Sequence, residues 1–304
     1  MVTKRHSQYD YVTPRSIYHA ENVDDAIQIT VWNYMHDQLG WSDEACHQRV
    51  TIERDRVIPK GILSQLEKRG WDFEHKLVLD LGAGQGGMVH ELLLRGIEAF
   101  GIEPGDEFAF MVALRLNSID LPASRIVKAY GEQLPFADNS LDFVISLQVL
   151  EHVRHPKALI EEIFRVLKPG GCCYVSCENY LSFFEPHYRI KWFPMLPKFL
   201  GSIYLKMLHR NPDFLNNYIF YTTYPQIWLL FWKVGFKNCT YSLDDDLQKI
   251  RHPNTIQQPL VRQVSRLVNF LLPDTQVLRK PILIYRHLQH LFRRGLAIYA
   301  QKPI

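Results

Sequence analysis

Between residues 76 and 179, short apolar runs alternate with helix-like stretches. No other feature limits the fold as much. "KLVLDLG", "AFGIEP", "RIVKA", "DFVISL" and "CYVSCEN" read as buried strands. Between them, "GMVHELLLRG" and "GDEFAFMVALRLNS" read as helices, and "HPKALIEEIFRVLKPGG" as an amphipathic helix ended by Pro-Gly-Gly. This alternation predicts parallel βαβ units in an open α/β sheet. Right-handed crossovers carry the loops after the strands to one edge, where ligands bind.

The flanks do not keep this rhythm. Residues 1–75 are polar and helix-rich, with Ser42 as an N-cap and a second helix closing at Gly70. We expect a helical cap there. Residues 180–222 are aromatic-rich and punctuated by proline, which reads as an insert. Helix "YPQIWLLFWKVGF" and strand "KNCTYSL" resume the core over 223–246. Residues 247–294 read as two basic amphipathic stretches, and 295–304 as a last core strand, "GLAIYAQKP".

Composition narrows the function classes. A net charge of +3 gives no bulk case for a nucleic-acid partner. The five cysteines lack zinc or redox spacing, so reduced thiols in a cytoplasmic protein are expected. "MVTKRHSQYDYV" has no apolar run after its basic residues, so no signal peptide is expected. No stretch is long and apolar enough to predict a transmembrane helix.

The first strand runs into "VLDLGAGQGG". Glycines at 82, 84, 86 and 87 let a backbone approach a ligand closely. Their spacing fits neither the dinucleotide fingerprint nor the Walker pattern, in which Lys precedes Ser or Thr. Asp80, at the end of the strand, would repel phosphate and suit an ammonium group. Glu103 ends the next strand, 23 residues later, where a carboxylate can take two ribose hydroxyls. A ribose, no phosphate and a cationic amino acid together describe S-adenosylmethionine.

On these residues the chain resembles the class I S-adenosylmethionine-dependent methyltransferases, of the small-molecule type that includes ubiquinone-pathway enzymes. "VLDLGAGQGG" looks like their glycine motif and "GIEP" like their ribose-binding acid. "AYGEQLPFADNSLDFVISLQVLEHV" is similar to their third and fourth strands, and "RVLKPGG" to the turn before the fifth. The resemblance implies a Rossmann-like three-layer sandwich: a mostly parallel seven-stranded sheet with an antiparallel last strand, a helical N-terminal cap and an inserted helical lid. It implies cofactor contacts at Asp80, Gly82, Ala83, Gly84, Glu103, Pro104, Leu147 and Gln148, with Glu132 and Gln133 beside the adenine. Gly131-Glu132 departs from the Asp-Ala or Asp-Ile frequent in the family.

The loop "QVLEHVRHP" follows the fourth strand, next to the reacting methyl in such enzymes. His152 is a candidate general base. Metal-assisted relatives resemble Glu-x-x-Glu-His here, whereas this chain has Gln148 in place of the first acid, with Glu151 and His152 retained. No metal is therefore expected, Glu151 and His152 being the candidates should one bind. In the insert, "FFEPHYRIKW" supplies His187 as a second candidate base, and Glu185, Tyr188, Arg189 and Trp192 as candidate acceptor contacts.

The nitrogen-methylating Asn/Asp-Pro-Pro-Tyr/Phe signature is absent, so an oxygen acceptor on a small molecule, glycan or lipid-like compound is expected. Nitrogen and carbon acceptors, a nucleotide-dependent dehydrogenase and a non-catalytic scaffold stay open. From residue 247 onward, ten Lys or Arg face one acid, Asp274. Those stretches are candidates for contact with an anionic membrane face.

Overall fold

The computed structural model describes residues 17–241 and 292–304. The basic stretches expected over 247–294 fall, apart from their last three residues, outside the described residues.

The core is a seven-stranded sheet in the order β3-β2-β1-β4-β5-β9-β8. The strands are β1 (Leu77–Leu81), β2 (Glu98–Ile102), β3 (Ile126–Val127), β4 (Leu141–Leu147), β5 (Leu167–Glu178), β8 (Lys237–Tyr241) and β9 (Gly295–Gln301). The first five pair in parallel, and β9 runs antiparallel to both β5 and β8. This is the expected sheet, antiparallel last strand included.

The near-continuous apolarity of the strands follows from burial on both faces. On β1, Leu79 and Leu81 face a layer containing α6 (Pro156–Val166) and α9 (Tyr224–Val234). Val78 faces the other layer, made by α3 (Val57–Lys68), α4 (Gly87–Leu94) and α5 (Asp106–Asn117). Helix α6 starts on Pro156, whose fixed φ suits a first helical position. It buries Leu159, Ile160, Ile163 and Val166 on one stripe. Each such side chain contributes roughly 2 kcal/mol of transfer free energy. Cys173 and Cys177 sit buried in the same core.

One boundary differs from expectation. Helix α6 ends at Val166, before Pro-Gly-Gly, and Leu167 already pairs with Leu141 of β4. Pro169 disfavours the helical region at Lys168. Gly170, at φ +80°, turns the chain into β5 and donates to the Lys302 carbonyl. "RIVKA" contributes only its Ile126–Val127 pair to the sheet.

The cap contains α1 (Val23–Thr30), a π-helical segment Val31–Gln38 and α2 (Asp43–Arg54). Asn22 and Ser42 accept from the backbone N–H groups of Asp25 and Ala45, which caps α1 and α2. Ile27, Ile29, Val31 and Trp32 pack against Met111 of α5. The insert holds a short hairpin, β6 (Phe184–Glu185) and β7 (Ile190–Lys191), then α7 (Lys198–Met207) and α8 (Asp213–Tyr218). Leu39 of the cap joins Tyr180, Tyr188, Trp192, Leu205 and Leu215 of the insert in one apolar cluster. Cap and insert are therefore packed together above the carboxyl edge of the sheet. Among the described residues, no helix is long and apolar enough to cross a membrane.

Candidate active site

The glycine loop leaves β1 at the carboxyl edge. Gly82 and Ala83 donate to the Ile102 carbonyl at the end of β2, which ties the loop to its neighbour strand. Gly82 has φ +77°, and a Cβ there would meet Val149 Cγ2 at 2.3 Å. Gly84 is different: at φ +50°, a Cβ would meet nothing within 4 Å. One glycine is needed for packing against the loop after β4. The other borders open space, where a ligand can lie against bare backbone.

Glu103 is the second element of this half. Its two carboxylate oxygens accept from the N–H groups of Gly84 and Gly105, each at 2.9 Å. Burial raises its pKa, and those two hydrogen bonds oppose the rise. The carboxylate is thus fixed beside the open side of Gly84.

Asp80 has a more structural place than the sequence suggests. It is only 2 % exposed, and its Oδ2 accepts from Val89 N–H in the first turn of α4. Burial pushes its pKa up to about 7, against the pull of that hydrogen bond and with a further push from Glu103. Asp80 therefore shapes the loop from below and holds a carboxyl close to neutrality under the site. Pro104 and Leu147 are half-buried at the ends of β2 and β4. Gln148 sits at φ +58°, with its N–H bonded to the Ser176 carbonyl. Glu132 is half-buried and Gln133 exposed in the loop before β4. Arg165 and Glu162 of α6 pin that loop through the backbone of Leu134 and Phe136.

The other half of the candidate site is assembled from two distant segments. The 3-10 turn Leu150–His152 follows β4 and presents His152, whose Nδ1 lies 2.7 Å from the Tyr218 carbonyl. A carbonyl only accepts, so this nitrogen carries the proton and Nε2 keeps its lone pair. Part of the ring is exposed, yet it sits among protein groups that hold its pKa down to about 4, by desolvation first and then by His187. His187 comes from the turn between β6 and β7. Its Nδ1 donates to Glu185 Oε1 at 2.9 Å, with the Tyr180 hydroxyl 3.4 Å away. Burial alone would lower the His187 pKa. The charge and hydrogen bond of Glu185, then Glu151 and Glu178, raise it overall.

The two imidazoles meet edge to face, 5.3 Å between centroids. One donor atom each from Glu151, His152 and His187 falls within 4.8 Å of the others. That geometry brings both sequence-derived base candidates into one site. The same donor set has a composition that a divalent cation can use.

Of the expected acceptor contacts, Glu185 is fully buried and engaged: Oε1 by His187 and Tyr180, Oε2 by Tyr188 N–H. Tyr188 and Trp192 lie in the insert's apolar cluster, so their rings stiffen the insert and are not open walls. The Tyr188 hydroxyl donates to the Asn211 carbonyl. Arg189 stacks over Trp41, 4.7 Å from the ring centroid.

Sequence reading missed several contributors. Trp41 Nε1 donates to the His187 carbonyl, and Arg210 donates to the Leu39 carbonyl, joining insert to cap. Buried Arg115 donates to the Gln85 carbonyl at 2.6 Å and to the Glu53 carbonyl, bracing the glycine loop from α5. Tyr34 bonds Glu107 and lies within electrostatic reach of Glu103 and Tyr218. Their partners are backbone carbonyls or distant acids, which no local motif encodes.

Residues 79–175 match a family model described as a methyltransferase domain. The chain is similar to an uncharacterized methyltransferase of Mycolicibacterium gilvum, with 38% identity over 110 residues, 36% of this chain and 42% of the relative. It is also similar to one from Mycobacterium leprae, with 34% identity over 112 residues, 37% of this chain and 40% of the relative. The chain thus spans about two fifths of the length of these curated relatives. In fold it is similar to Haemonchus contortus phosphoethanolamine N-methyltransferase 2, solved with phosphomonomethylethanolamine and S-adenosylhomocysteine. That likeness has a TM-score of 0.54 at 15% identity, covering 92% of this chain and 58% of that chain. The matched methyltransferase domain and the strand order support a class I S-adenosylmethionine-dependent methyltransferase core over residues 79–175.

Proposed function

We propose that this chain transfers the methyl group of S-adenosylmethionine to a hydroxyl, with His187 as the proton acceptor. The acceptor is a small molecule, glycan or lipid-like compound held between cap and insert. The observation that carries this reading is the buried Glu185 bonded to His187 Nδ1. A carboxylate on one ring nitrogen fixes the tautomer and strengthens the other nitrogen as a base. An amine acceptor can offer a free lone pair. A hydroxyl must lose its proton as it attacks, and such a pair serves that step.

The residues present fit the cofactor. Gly84 offers open backbone, and Glu103 presents two oriented oxygens beside it. Asp80 lies beneath the loop for the cationic amino-acid end. When bound, S-adenosylmethionine supplies a methyl already activated by its sulfonium. The protein's work is then to hold the acceptor oxygen in line, exclude water and take one proton on His187 Nε2. Glu151, Glu178 and Glu185 stabilise the imidazolium so formed. His152, kept neutral by its surroundings and held by Tyr218, packs edge to face on His187 and keeps that ring in place.

A screen of labelled methyl transfer onto hydroxylated acceptors and amines tests this. Transfer to a hydroxyl that rises with pH as His187 deprotonates is the expected result. Transfer confined to amines would overturn the acceptor class. An absolute need for an added divalent cation would reassign His187 from base to ligand.

A further inference from the structure

From Pro186 to Arg210 the insert carries Arg189, Lys191, Lys198, Lys206 and Arg210, and no Asp or Glu. Helix α7 lies in this stretch. Its inner face is Gly201 and Leu205, and Gly201 is packed so closely that a Cβ would meet Trp192 at 2.7 Å and Leu215 at 3.0 Å. Its outer face is apolar as well. Phe199, Ile203 and Met207, at i, i+4 and i+8, are 66%, 54% and 73% exposed. Leu200 beside them, and Phe193 and Met195 in the turn leading into the helix, are exposed too. Single exposed apolar side chains are ordinary. Six on one helix and its entry turn, with exposed Lys191 and Lys206 beside them while Arg189 and Arg210 turn to the cap, make an apolar surface of the kind that marks a contact.

We infer that the outer face of α7 is a membrane-docking surface that seats the insert on an anionic bilayer. Charge selects the occupant. The chain's own stretch from residue 247 to 291 carries seven Lys or Arg against Asp274 alone, so it would bring cations onto cations. A second copy docking through the same face would do likewise. The complement must be anionic. Shape narrows it further, because the outer face is that of a single helix, a ridge of side chains. A partner protein would need a matching groove, whereas lipid headgroups and acyl chains close around a ridge unaided. Apolar side chains on one side and a basic rim describe a helix lying in the interface plane.

This inference rests on the reading of the insert as the acceptor-holding region. His187 lies against Phe214 of α8, and Leu215 of α8 packs with Leu205 of α7, so docking would hold the site one helix layer from the lipid surface, where a lipid-like acceptor is drawn from the bilayer.

Flotation of the full chain with phosphatidylglycerol-rich and with pure phosphatidylcholine vesicles, at low salt, tests it. The chain should float with the anionic vesicles and much less with the neutral ones. Combined Phe199→Ser, Ile203→Ser and Met207→Ser should cut the bound fraction about tenfold, since the apolar face supplies the insertion. These side chains point away from the insert's core, and unchanged binding of S-adenosylhomocysteine will show that the variant is folded. Failure to float, or flotation undiminished by the triple substitution, overturns the inference. So does a concentration-dependent dimer that the substitution abolishes. The two readings fail separately. A His187→Ala protein that floats but transfers no methyl leaves docking intact, and a triple variant that methylates soluble acceptors while ignoring vesicles leaves the chemistry intact.

Discussion

The two halves of the carboxyl edge are built from different material. In the cofactor half, the backbone makes most of the site: N–H groups of Gly84 and Gly105 hold Glu103, and bare glycine borders the open space. In the acceptor half, side chains meet side chains: Glu185 with His187 and Tyr180, and His187 against His152. A backbone-built site is rigid and hard to retune, since each change disturbs the loop itself. A side-chain site can be altered one residue at a time and carries its control in protonation. Substitutions in the two halves should therefore separate cleanly in their kinetics.

The largest effect should come from the acceptor half. His187→Ala should lower kcat by roughly 10²- to 10⁴-fold, the usual range for loss of a general base. Binding of S-adenosylhomocysteine, measured by calorimetry, should not change. A parallel loss of both would show that the halves are one coupled unit. The mirror experiment is Glu103→Ala. It removes two charge-assisted acceptors and leaves Gly84 and Gly105 N–H without their partner, so cofactor affinity should fall about 10- to 100-fold. Once the variant is saturated with cofactor, its kcat should return close to that of the parent.

The same contrast explains what could be read in the sequence. Glycine spacing and an acid at a strand end are local features, so Gly82, Gly84 and Glu103 stand out in the sequence, as does a parallel sheet from its alternating rhythm, whereas the order of the strands does not. The use of Asp80 is less legible, because its Val89 partner depends on how α4 meets β1. In the insert, His187 could be picked out by chemistry, but not its meeting with His152. That contact needs the 34 intervening residues to fold back onto the sheet. Tyr188 and Trp192 looked like acceptor walls because aromatic residues serve walls and cores alike, and only packing tells the two apart. Trp41, Arg115 and Arg210 bond backbone carbonyls, which are the same at every position and leave no mark in a sequence.

A smaller effect should come from Glu185→Gln, which keeps the shape and removes the charge. Desolvation lowers the His187 pKa, and Glu185 heads the groups that raise it overall, ahead of Glu151 and Glu178. The pH–kcat limb should therefore move to lower pH in the variant, with a maximal rate about tenfold lower because the base is weaker. A limb that stays in place would mean that another group titrates in the parent profile.

The smallest expected effect is the most specific to the cofactor half. In the free protein Asp80 has its pKa pushed up to about 7, from an ordinary 3.8, because it is buried with a single N–H partner and faces Glu103. The folded chain thus holds a proton that the unfolded chain gives up. Stability from this group is complete below about pH 4 and is lost as pH rises through about 7. A cationic ligand end above Asp80 favours the charged form and drives the proton off. Cofactor binding below about pH 7 should then release one proton, detected as a calorimetric enthalpy that varies with buffer ionisation, and affinity should rise with pH until about 7. Asp80→Asn keeps an acceptor for Val89 N–H, so the loop should hold its shape. It should abolish the proton release, flatten the dependence of stability on pH, and weaken cofactor binding only a few-fold. If the parent binds cofactor with no proton released, Asp80 does not sense the ligand, and its role ends with the Val89 hydrogen bond.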